Sequence, residues 1–317
     1  MPTIGCFLSS EEHGPRFLLD TARQAEEAGF RSVLISDHFH PWTNTQGESP
    51  FVWSVIGAIA ASTDLQVTTG VTCPTIRMHP AVLAQATATS QLLLEGRFRF
   101  GVGSGEALNE QILGDRWPPA DVRLEMLEEA IDVIREMWRG EVVTRHGPYY
   151  TVERARIFSR PDDPPPILVS GFGPKSTALA ARVGDGYVTT APDGDAVRSY
   201  RDQGGKGPAI AAVKACWGPD EDKARALAFE LWPTTGVSGE LSQELPAPEH
   251  FEQAAENVTE DMVADKIPCG PDPERHVAAL RQYFDAGFDE VFVSQVGDDQ
   301  SGYFEFFNSE VRPRLGI

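Results

Sequence analysis

The residues best suited to chemistry form a run of six, Asp37–His38–Phe39–His40–Pro41–Trp42, directly after an apolar stretch. Imidazole is the side chain that most readily moves protons near neutral pH. Polar groups at this density are costly to bury without partners. The run therefore indicates a functional His or Asp, and a polar strand end capped by solvent is the alternative.

A second candidate is the carboxylate of Glu106, which follows the glycine-rich run 101–105. Glycines at alternate positions let a backbone approach a flat ligand, because no Cβ intervenes. The run is not the dinucleotide fingerprint GxGxxG, since Glu106 stands where its last glycine would be. We expect Glu106 to donate or accept a proton there. A glycine-rich loop chosen for its turn alone is the alternative.

A third segment, Ser170–Gly171–Phe172–Gly173, leads into a helix that opens with Pro174–Lys175–Ser176. Small residues, a lysine and free amides at a helix N-terminus form a cradle for an anion. We expect a phosphate group to bind here. Gly70 lies within another strand-like run, where a glycine often marks a bulge or the close approach of a ligand.

The spacing His38–x–His40 also permits a metal site, because alternation along a strand puts both imidazoles on one face. A metal centre needs further ligands from later strand ends. The later ends SGFG, TTAP and SQVG contain neither His nor Cys. We therefore expect no metal.

The elements that must position these residues alternate between strand and helix along the whole chain. Eight strand-like runs are separated by helices, at 3–9, 32–38, 65–73, 97–103, 167–171, 186–190, 209–216 and 290–296. This order predicts an α/β fold, a (β/α)8 TIM barrel, with an open doubly wound sheet as the alternative. In such barrels the chemistry lies at the carboxyl ends of the strands, where the candidates above are placed.

Residues 1–317 are predicted to form a single barrel domain with two insertions. The run 142–157 alternates around His146–Gly147–Pro148 and predicts a β-hairpin. The Pro- and Glu-rich stretch 233–258 is too polar for core and predicts an excursion over one end of the barrel.

Composition narrows the function classes. The 317 residues include 27 Lys and Arg against 47 Asp and Glu, a net charge of −20. This charge argues against nucleic-acid binding and against an anionic membrane surface. The four cysteines show no CxxC pair or zinc spacing, and no signal peptide or membrane-length apolar run is present. We expect a cytoplasmic protein with reduced thiols.

Five blocks together resemble a known family: SDHFHPW (36–42), VTCPTIRMHPAVLAQATAT (71–89), FGVGSGEALNE (100–110), SGFGPK (170–175) and GDGYVTT (184–190). The chain resembles the coenzyme F420-dependent dehydrogenases of the bacterial luciferase-like superfamily, whose branches act on glucose 6-phosphate and on secondary alcohols. The resemblance covers essentially the whole chain. It implies a luciferase-like (β/α)8 barrel with loop insertions and the deazaflavin F420 as cofactor.

The resemblance also implies which residues hold the cofactor. Asp37 matches a residue that contacts the deazaflavin ring, and the family has a non-proline cis peptide before Val71, which forms a bulge behind the ring. The implied cofactor positions are Asp37, Gly70, Val71, Cys73, Ser104, Gly105 and Asn109, with Phe172, Gly173, Lys175 and Ser176 holding the phosphate.

His38 and Glu106 match the catalytic pair of the family, and Trp42 matches the aromatic residue beside them. The implied reaction transfers hydride between an alcohol or sugar carbon and C5 of the deazaflavin. His38 would take the hydroxyl proton while Glu106 supplies one to the ring at N1, although the opposite assignment stays open at this point. Two groups whose environments separate their pKa values suit this division.

The substrate positions depart from the sugar-phosphate branch, which binds phosphate with two lysines and an arginine. Thr190 belongs to a matched block. Asp193 stands at the position of the first lysine, and Lys266 at that of the arginine. The second lysine has no counterpart, because residues 226–265 contain no Lys or Arg. An aspartate repels a phosphate dianion, and one lysine supplies only a point charge. A small neutral alcohol is therefore the better expectation, and a sugar 6-phosphate is the alternative.

Other function classes remain as alternatives at this point. The first is an FMN-dependent monooxygenase of the same superfamily, and the second is a cofactor-binding protein without turnover. The presence of both His38 and Glu106 argues against a pure binder, which needs no proton-transfer pair. We also expect a homodimer, as is common in this superfamily.

Overall fold

Strands that are buried on both faces build the centre of the molecule. In the computed structural model, which describes residues 2–237 and 239–316, the second and the last barrel strands are buried along their whole length. Such strands occur where helices cover a parallel sheet on its outer side. Eight of them close into a barrel, which confirms the predicted (β/α)8 architecture.

The strands are β1 Thr3–Leu8, β2 Ser32–Ile35, β3 Gln66–Thr69, β4 Phe98–Val102, β5 Val143–His146, β6 Thr151–Ala155, β7 Ile167–Ser170, β8 Gly186–Thr189, β9 Ala209–Ala215 and β10 Glu290–Gln295. The barrel strands neighbour one another in the order β1, β2, β3, β4, β7, β8, β9, β10 and back to β1, and all adjacent pairs are parallel.

The helices cover the outside of the barrel and its carboxyl end. They are α1 Pro15–Glu27, α2 Val52–Ala60, α3 Pro80–Leu93, α4 Ala107–Glu110, α5 Ala120–Trp138, α6 Pro174–Val183, α7 Gly194–Asp202, α8 Glu221–Leu231, α9 Leu241–Glu244, α10 Pro248–Ala254, α11 Glu260–Ala264, α12 Pro273–Asp285, α13 Gln300–Phe306 and α14 Arg312–Leu315. Short 3-10 turns lie at Gln111–Leu113 and Pro233–Gly236, and a π-helical turn at Phe307–Val311 joins α13 to α14.

Side chains fill the barrel, so it is a packed core and not a pore. The ring of Phe292 occupies the space beside Gly5, where an added Cβ would lie 2.4 Å from the ring. Further towards the amino end, Arg99 pairs with Glu290 at 2.7 Å. Beyond this filling, polar side chains such as Glu11 and His38 lie at the carboxyl end of the barrel.

The third strand ends earlier than its sequence pattern predicts. The apolar run extends to residue 73, but the strand stops at Thr69. The Gly70–Val71 peptide that follows is cis, and Thr72 then pairs again with Val102 of β4. The chain is therefore displaced from the sheet for two residues beside the cleft.

Two segments extend beyond the eight β/α units. Strands β5 and β6 form an antiparallel hairpin between α5 and β7. The stretch after α8 folds into the short helices α9 and α10, and Phe251 in it is only 1% exposed. The expectation that this stretch is too polar for core is wrong at Phe251, because isolated apolar residues among Pro and Glu give no periodic signal.

Among the described residues, no helix combines the length and apolar character that crossing a bilayer requires. Within the same residues, no group of three or more His, Cys, Asp and Glu side chains is arranged to hold a metal ion.

Candidate active site

His38 follows β2 at the carboxyl end of the barrel, and both of its ring nitrogens face polar groups. Nδ1 lies 3.1 Å from the side-chain nitrogen of Asn109 and 3.2 Å from the carbonyl oxygen of His40. Nε2 lies 3.4 Å from a carboxylate oxygen of Glu11. The ring is thus held by contacts on opposite sides, which fixes its orientation.

Glu11 is a buried carboxylate that follows β1 and supports His38. Its side chain is 3% exposed and accepts hydrogen bonds from the hydroxyls of Ser36 at 2.6 Å and Ser9 at 3.1 Å. Burial alone would raise the pKa of Glu11, but the His38 imidazole and the Ser36 hydroxyl hold it below its ordinary value. An ionised Glu11 stabilises an imidazolium, as the buried aspartate does in catalytic triads.

Asn109 joins His38 to Glu106. Its side-chain oxygen accepts hydrogen bonds from the backbone amides of Phe39 and His40, at 2.8 and 3.1 Å. This leaves its NH2 group facing His38 on one side and an oxygen of Glu106, at 3.5 Å, on the other. An imidazole and a carboxylate from segments about 70 residues apart therefore converge on one amide.

Trp42 lies beside His38, with ring centroids 5.0 Å apart. Its other neighbour is Phe251 of α10, in an edge-to-face contact at 5.1 Å. The side-chain amide of Gln46, in the same loop, donates a hydrogen bond to the carbonyl oxygen of Leu231 at the end of α8. The stretch after α8 is therefore packed against the loop that carries His38 and forms a wall of this site.

Asp37 is oriented away from the open side of the site. One carboxylate oxygen pairs with Arg77 at 2.9 Å, the other accepts the hydroxyl of Thr72 at 2.7 Å, and the side chain is 0% exposed. Arg77 also lies 3.5 Å from Glu110, whose pKa is raised by burial. The carboxylate of Asp37 thus ties the loop after β2 to the loop after β3, and Arg77 extends this link to Glu110 after β4.

Cys73 and Gly105 pack against each other beneath Glu106. A Cβ on Gly105 would lie 2.5 Å from the Cys73 sulfur, and the backbone there has a φ of +86°, which favours glycine. Burial raises the pKa of the Cys73 thiol well above its ordinary value. Cys73 is therefore a packing residue and not a nucleophile.

The alternate glycines of β4 make room for protein rather than for a ligand. A Cβ on Gly101 would lie 1.9 Å from the Thr69 carbonyl oxygen, and one on Gly103 would lie 2.8 Å from Val71. The expectation that alternate glycines admit a flat ligand is wrong at these two positions. The side chain of Val71 lies over Gly103 and is half-buried, so Val71 forms the protein surface at this position. Ser104, the residue after Gly103, is also half-buried.

The start of α6 has the features of an anion site at its backbone. The hydroxyl of Ser176 accepts the amides of Phe172 and Gly173, at 3.2 and 3.1 Å. Apart from its chain neighbours, no atom of residues 2–237 and 239–316 lies within 4 Å of a Cβ built on Gly173, so that side of the helix end is open. Lys175 is exposed and pairs with both oxygens of Asp121, at 2.6 and 2.8 Å. A ligand that uses Lys175 must share it with Asp121.

The three expected substrate residues lie on exposed segments, and their contacts tie them to the fold. Asp193 caps α7 by accepting the amides of Asp195 and Ala196, at 2.9 and 3.0 Å. The Thr190 carbonyl accepts the hydroxyl of Tyr283, and the Lys266 ammonium donates to the Thr235 carbonyl at 2.8 Å. None of these contacts reaches His38 or Glu106.

Sequence reasoning missed Glu11, Arg77 and Lys214. Glu11 follows the first strand run, so the rule that chemistry lies at strand ends would have found it. Arg77 lies within a matched block but carries no local signal for its carboxylate partners. Lys214 falls within an apolar strand run, where a single lysine is easily read as an outward-facing residue.

Comparison with known proteins identifies the family of this chain. Residues 1–290 match the family model described as luciferase-like monooxygenase. The chain therefore belongs to the luciferase-like family.

Within that family its relatives carry more specific names. It is 36% identical over 327 residues to an F420-dependent glucose-6-phosphate dehydrogenase of Microbacterium testaceum, covering 98% of this chain and 97% of the relative. It is 37% identical to the protein of the same name from Beutenbergia cavernae, covering 99% and 98%. These relatives confirm the resemblance found in the sequence.

A solved structure with 30% identity and a TM-score of 0.91 covers 99% of both chains. It is an F420-dependent secondary alcohol dehydrogenase in complex with an F420-acetone adduct.

Proposed function

We propose that this protein is an F420-dependent dehydrogenase that oxidises the CH–OH group of a small alcohol or sugar. The observation that carries the mechanism is the Asn109 amide, which lies 3.1 Å from the His38 imidazole and 3.5 Å from the Glu106 carboxylate. It brings two proton-transfer groups to one point at the mouth of the barrel. The relatives named for F420 support the choice of cofactor.

The residues present fit such a cofactor. The open backbone at Gly173 and the N-terminus of α6 suit its phosphate, with Phe172, Lys175 and Ser176 on the same turn. Val71, behind the cis peptide of Gly70, supplies an apolar surface for a flat ring. Asp37, Cys73, Ser104, Gly105 and Asn109 line or support the neighbouring loops. When bound, F420 supplies a two-electron acceptor whose deazaflavin C5 takes a hydride from carbon.

His38 acts as the base in this proposal. The His38 imidazole takes the proton of the substrate hydroxyl, and Glu11, 3.4 Å from Nε2, stabilises the positive charge that results. Glu106 holds the second proton that the reaction requires, and Asn109 keeps both groups in place. Trp42 packs against the imidazole and limits where the substrate carbon lies. Thr190, Asp193 and Lys266 are exposed, and in this proposal they meet the distal part of a larger substrate.

The substrate follows from the charge of the site. Glu11 and Glu106 place carboxylates at the mouth, and Asp193 is an N-cap rather than a ligand for phosphate. A dianionic sugar phosphate is repelled by this arrangement. We therefore place a neutral alcohol or sugar ahead of a sugar 6-phosphate.

We also propose that the chain is a single domain that acts as a homodimer in the cytoplasm, with 142–157 and 233–258 as insertions. The barrel uses strands from Thr3 to Gln295, which supports one domain.

Val82, Leu92 and Leu93 of α3 are large, exposed and apolar, which supports a dimer interface on this helix. The four cysteines are free, as expected in a reducing compartment. Light scattering of wild type and Leu93→Glu tests the dimer.

The test of the cofactor uses purified protein without oxygen. Oxidised F420 is added with a panel of secondary alcohols, sugars and sugar phosphates, and loss of its visible absorbance is followed. Alcohol-dependent bleaching is expected. A parallel sample receives reduced FMN and oxygen; tight FMN binding with oxygen consumption and no bleaching of F420 would contradict the proposal and favour a monooxygenase.

A further inference from the structure

One cation inside the barrel mouth has no role in the chemistry above. Lys214 lies near the carboxyl end of β9, and on the same strand Ile210 and Ala212 face the barrel interior beside Phe292. Side chains alternate along a strand, so Lys214 faces the interior as well. It is half-buried, so part of its side chain is accessible to solvent.

The ammonium group of Lys214 rests on an aromatic face. Its Nζ lies 3.8 Å from the centroid of the Trp232 ring, and the Trp232 indole donates a hydrogen bond to Glu12 at 2.7 Å. Within residues 2–237 and 239–316, no carboxylate oxygen lies within 4.0 Å of Nζ. Burial lowers the pKa of Lys214, although the charges of Glu11 and Glu12 oppose this. The group is held in place by a cation–π contact, and among the residues that the structure describes none accepts a hydrogen bond from it.

The neighbours of Lys214 show what these donors face. Glu11 contacts His38 on one side and lies close enough to Lys214 for their charges to interact. Trp232, on which the ammonium group rests, bonds to Glu12, the residue next to Glu11, so a chain of contacts places Lys214 in the same part of the mouth as His38. The nearby carboxylates disfavour a second anion, so the oxygen that Lys214 meets belongs to a neutral group.

We propose that Lys214 binds a second oxygen of the substrate and so selects alcohols with a hydroxyl on the neighbouring carbon over monohydric alcohols. This inference rests on the proposed function, and it names the second hydroxyl as the substrate feature that the same site recognises. A site built to hydrogen-bond a substrate oxygen discriminates strongly against an analogue that lacks it, because its donor is then left unpaired.

The kinetic test compares cyclohexanol with cyclohexane-1,2-diol, which differ by one hydroxyl, as reductants of F420. For wild type, kcat/KM is expected to favour the diol by about tenfold or more. Lys214→Met is expected to lower that ratio about tenfold, whatever its kcat/KM for cyclohexanol, and Lys214→Arg is expected to keep part of the preference. Lys223→Met, at an exposed lysine on α8, is the matched control and leaves the ratio unchanged.

A binding test needs no turnover. Tryptophan fluorescence of the protein, to which Trp232 contributes, is titrated with each of the two alcohols. Wild type is expected to bind the diol more tightly, and Lys214→Met to bind both alike.

The outcomes separate this inference from the proposed function. Equal binding of the two alcohols by wild type, or an equal loss for both substrates in Lys214→Met, would overturn the role of Lys214 whatever happens with F420. A Lys214-dependent preference for the diol without any F420 reduction would keep that role and refute the dehydrogenase.

Discussion

At the scale of single residues, the site depends on how one imidazole is held. His38 has Glu11 at one ring nitrogen and Asn109 at the other, and both partners are hydrogen-bonded to the segment after β2, Glu11 to Ser36 and Asn109 to Phe39. A ring with contacts on both sides keeps its orientation without rearrangement during the reaction. Such preorganisation is what makes proton transfer efficient.

Replacing Glu11 tests this arrangement. Glu11→Gln keeps the size of the side chain but removes the charge that stabilises an imidazolium, so kcat is expected to fall by about 10- to 100-fold. F420 affinity, measured by fluorescence titration, is expected to stay unchanged. Glu12→Gln is the matched control, because the neighbouring carboxylate bonds to Gly297 and Trp232 and not to His38. Wild-type kcat in Glu11→Gln would refute the role of the pair.

Glu12 makes stability depend on pH. Burial raises its pKa from 4.5 to about 7, although the Gly297 amide and the Trp232 indole favour the charged form. Between these pH values the folded protein holds a proton that the unfolded chain has lost. The free energy of unfolding therefore falls as pH rises from about 4.5 through about 7.

The variant Glu12→Gln removes this dependence. Relative to wild type it is expected to gain up to about 3 kcal/mol at pH 8 and almost nothing at pH 4. Urea unfolding of both proteins over this pH range measures the difference. A stability difference that does not change with pH would show that Glu12 titrates alike in the folded and unfolded states.

At the scale of elements, the packing of β3 against β4 positions Glu106. Gly101 has no room for a Cβ, because the Thr69 carbonyl oxygen would lie 1.9 Å away. The two strands approach so closely that the chain after β3 is displaced at Gly70 and Val71 and lies over Gly103. The glycines of β4 therefore set the position of the loop that ends in Glu106.

Two alanine substitutions separate close packing from glycine flexibility. Gly101→Ala is expected to destabilise the protein by about 3 kcal/mol, because backbone must move to admit the methyl group. Gly57→Ala lies inside α2, where no other part of the described chain comes within 4 Å of the added Cβ, and is expected to stabilise the protein by about 1 kcal/mol. Thermal unfolding of both variants measures the difference. Equal effects would mean that β3 and β4 tolerate separation.

The elements could largely be predicted from the sequence, because each strand and helix carries a local signal. Helix α1 begins at Pro15, and α6 at Pro174, as their prolines indicate. The end of β3 at Thr69 could not be predicted in this way, because its apolar run continues to residue 73 while pairing with β4 decides where the strand stops. The burial of Phe251 was missed for a similar reason, since its partner Trp42 lies about 200 residues away.

At the scale of the whole molecule, barrel closure is what assembles the site. Glu11, His38, Glu106 and Lys214 follow or end four different strands, and closure brings those ends to one mouth. The sequence predicts that strand ends carry chemistry, and family resemblance singles out His38 and Glu106. The contacts that support them, such as Asn109 to His38, join segments with no sequence relation and become visible only in the folded chain.

The most direct measurement of the central claim is the single-turnover rate of F420 reduction by an alcohol, without oxygen, in wild type, His38→Ala and Glu106→Gln. F420 affinity is measured on the same samples, and His146→Ala, at an exposed imidazole of the hairpin, is the control. The account predicts similar F420 affinity throughout and a rate about 100- to 10,000-fold lower in the first two variants, with the control unchanged. Rates within about twofold of wild type in both variants, or a wild-type protein that does not bind F420, would contradict it.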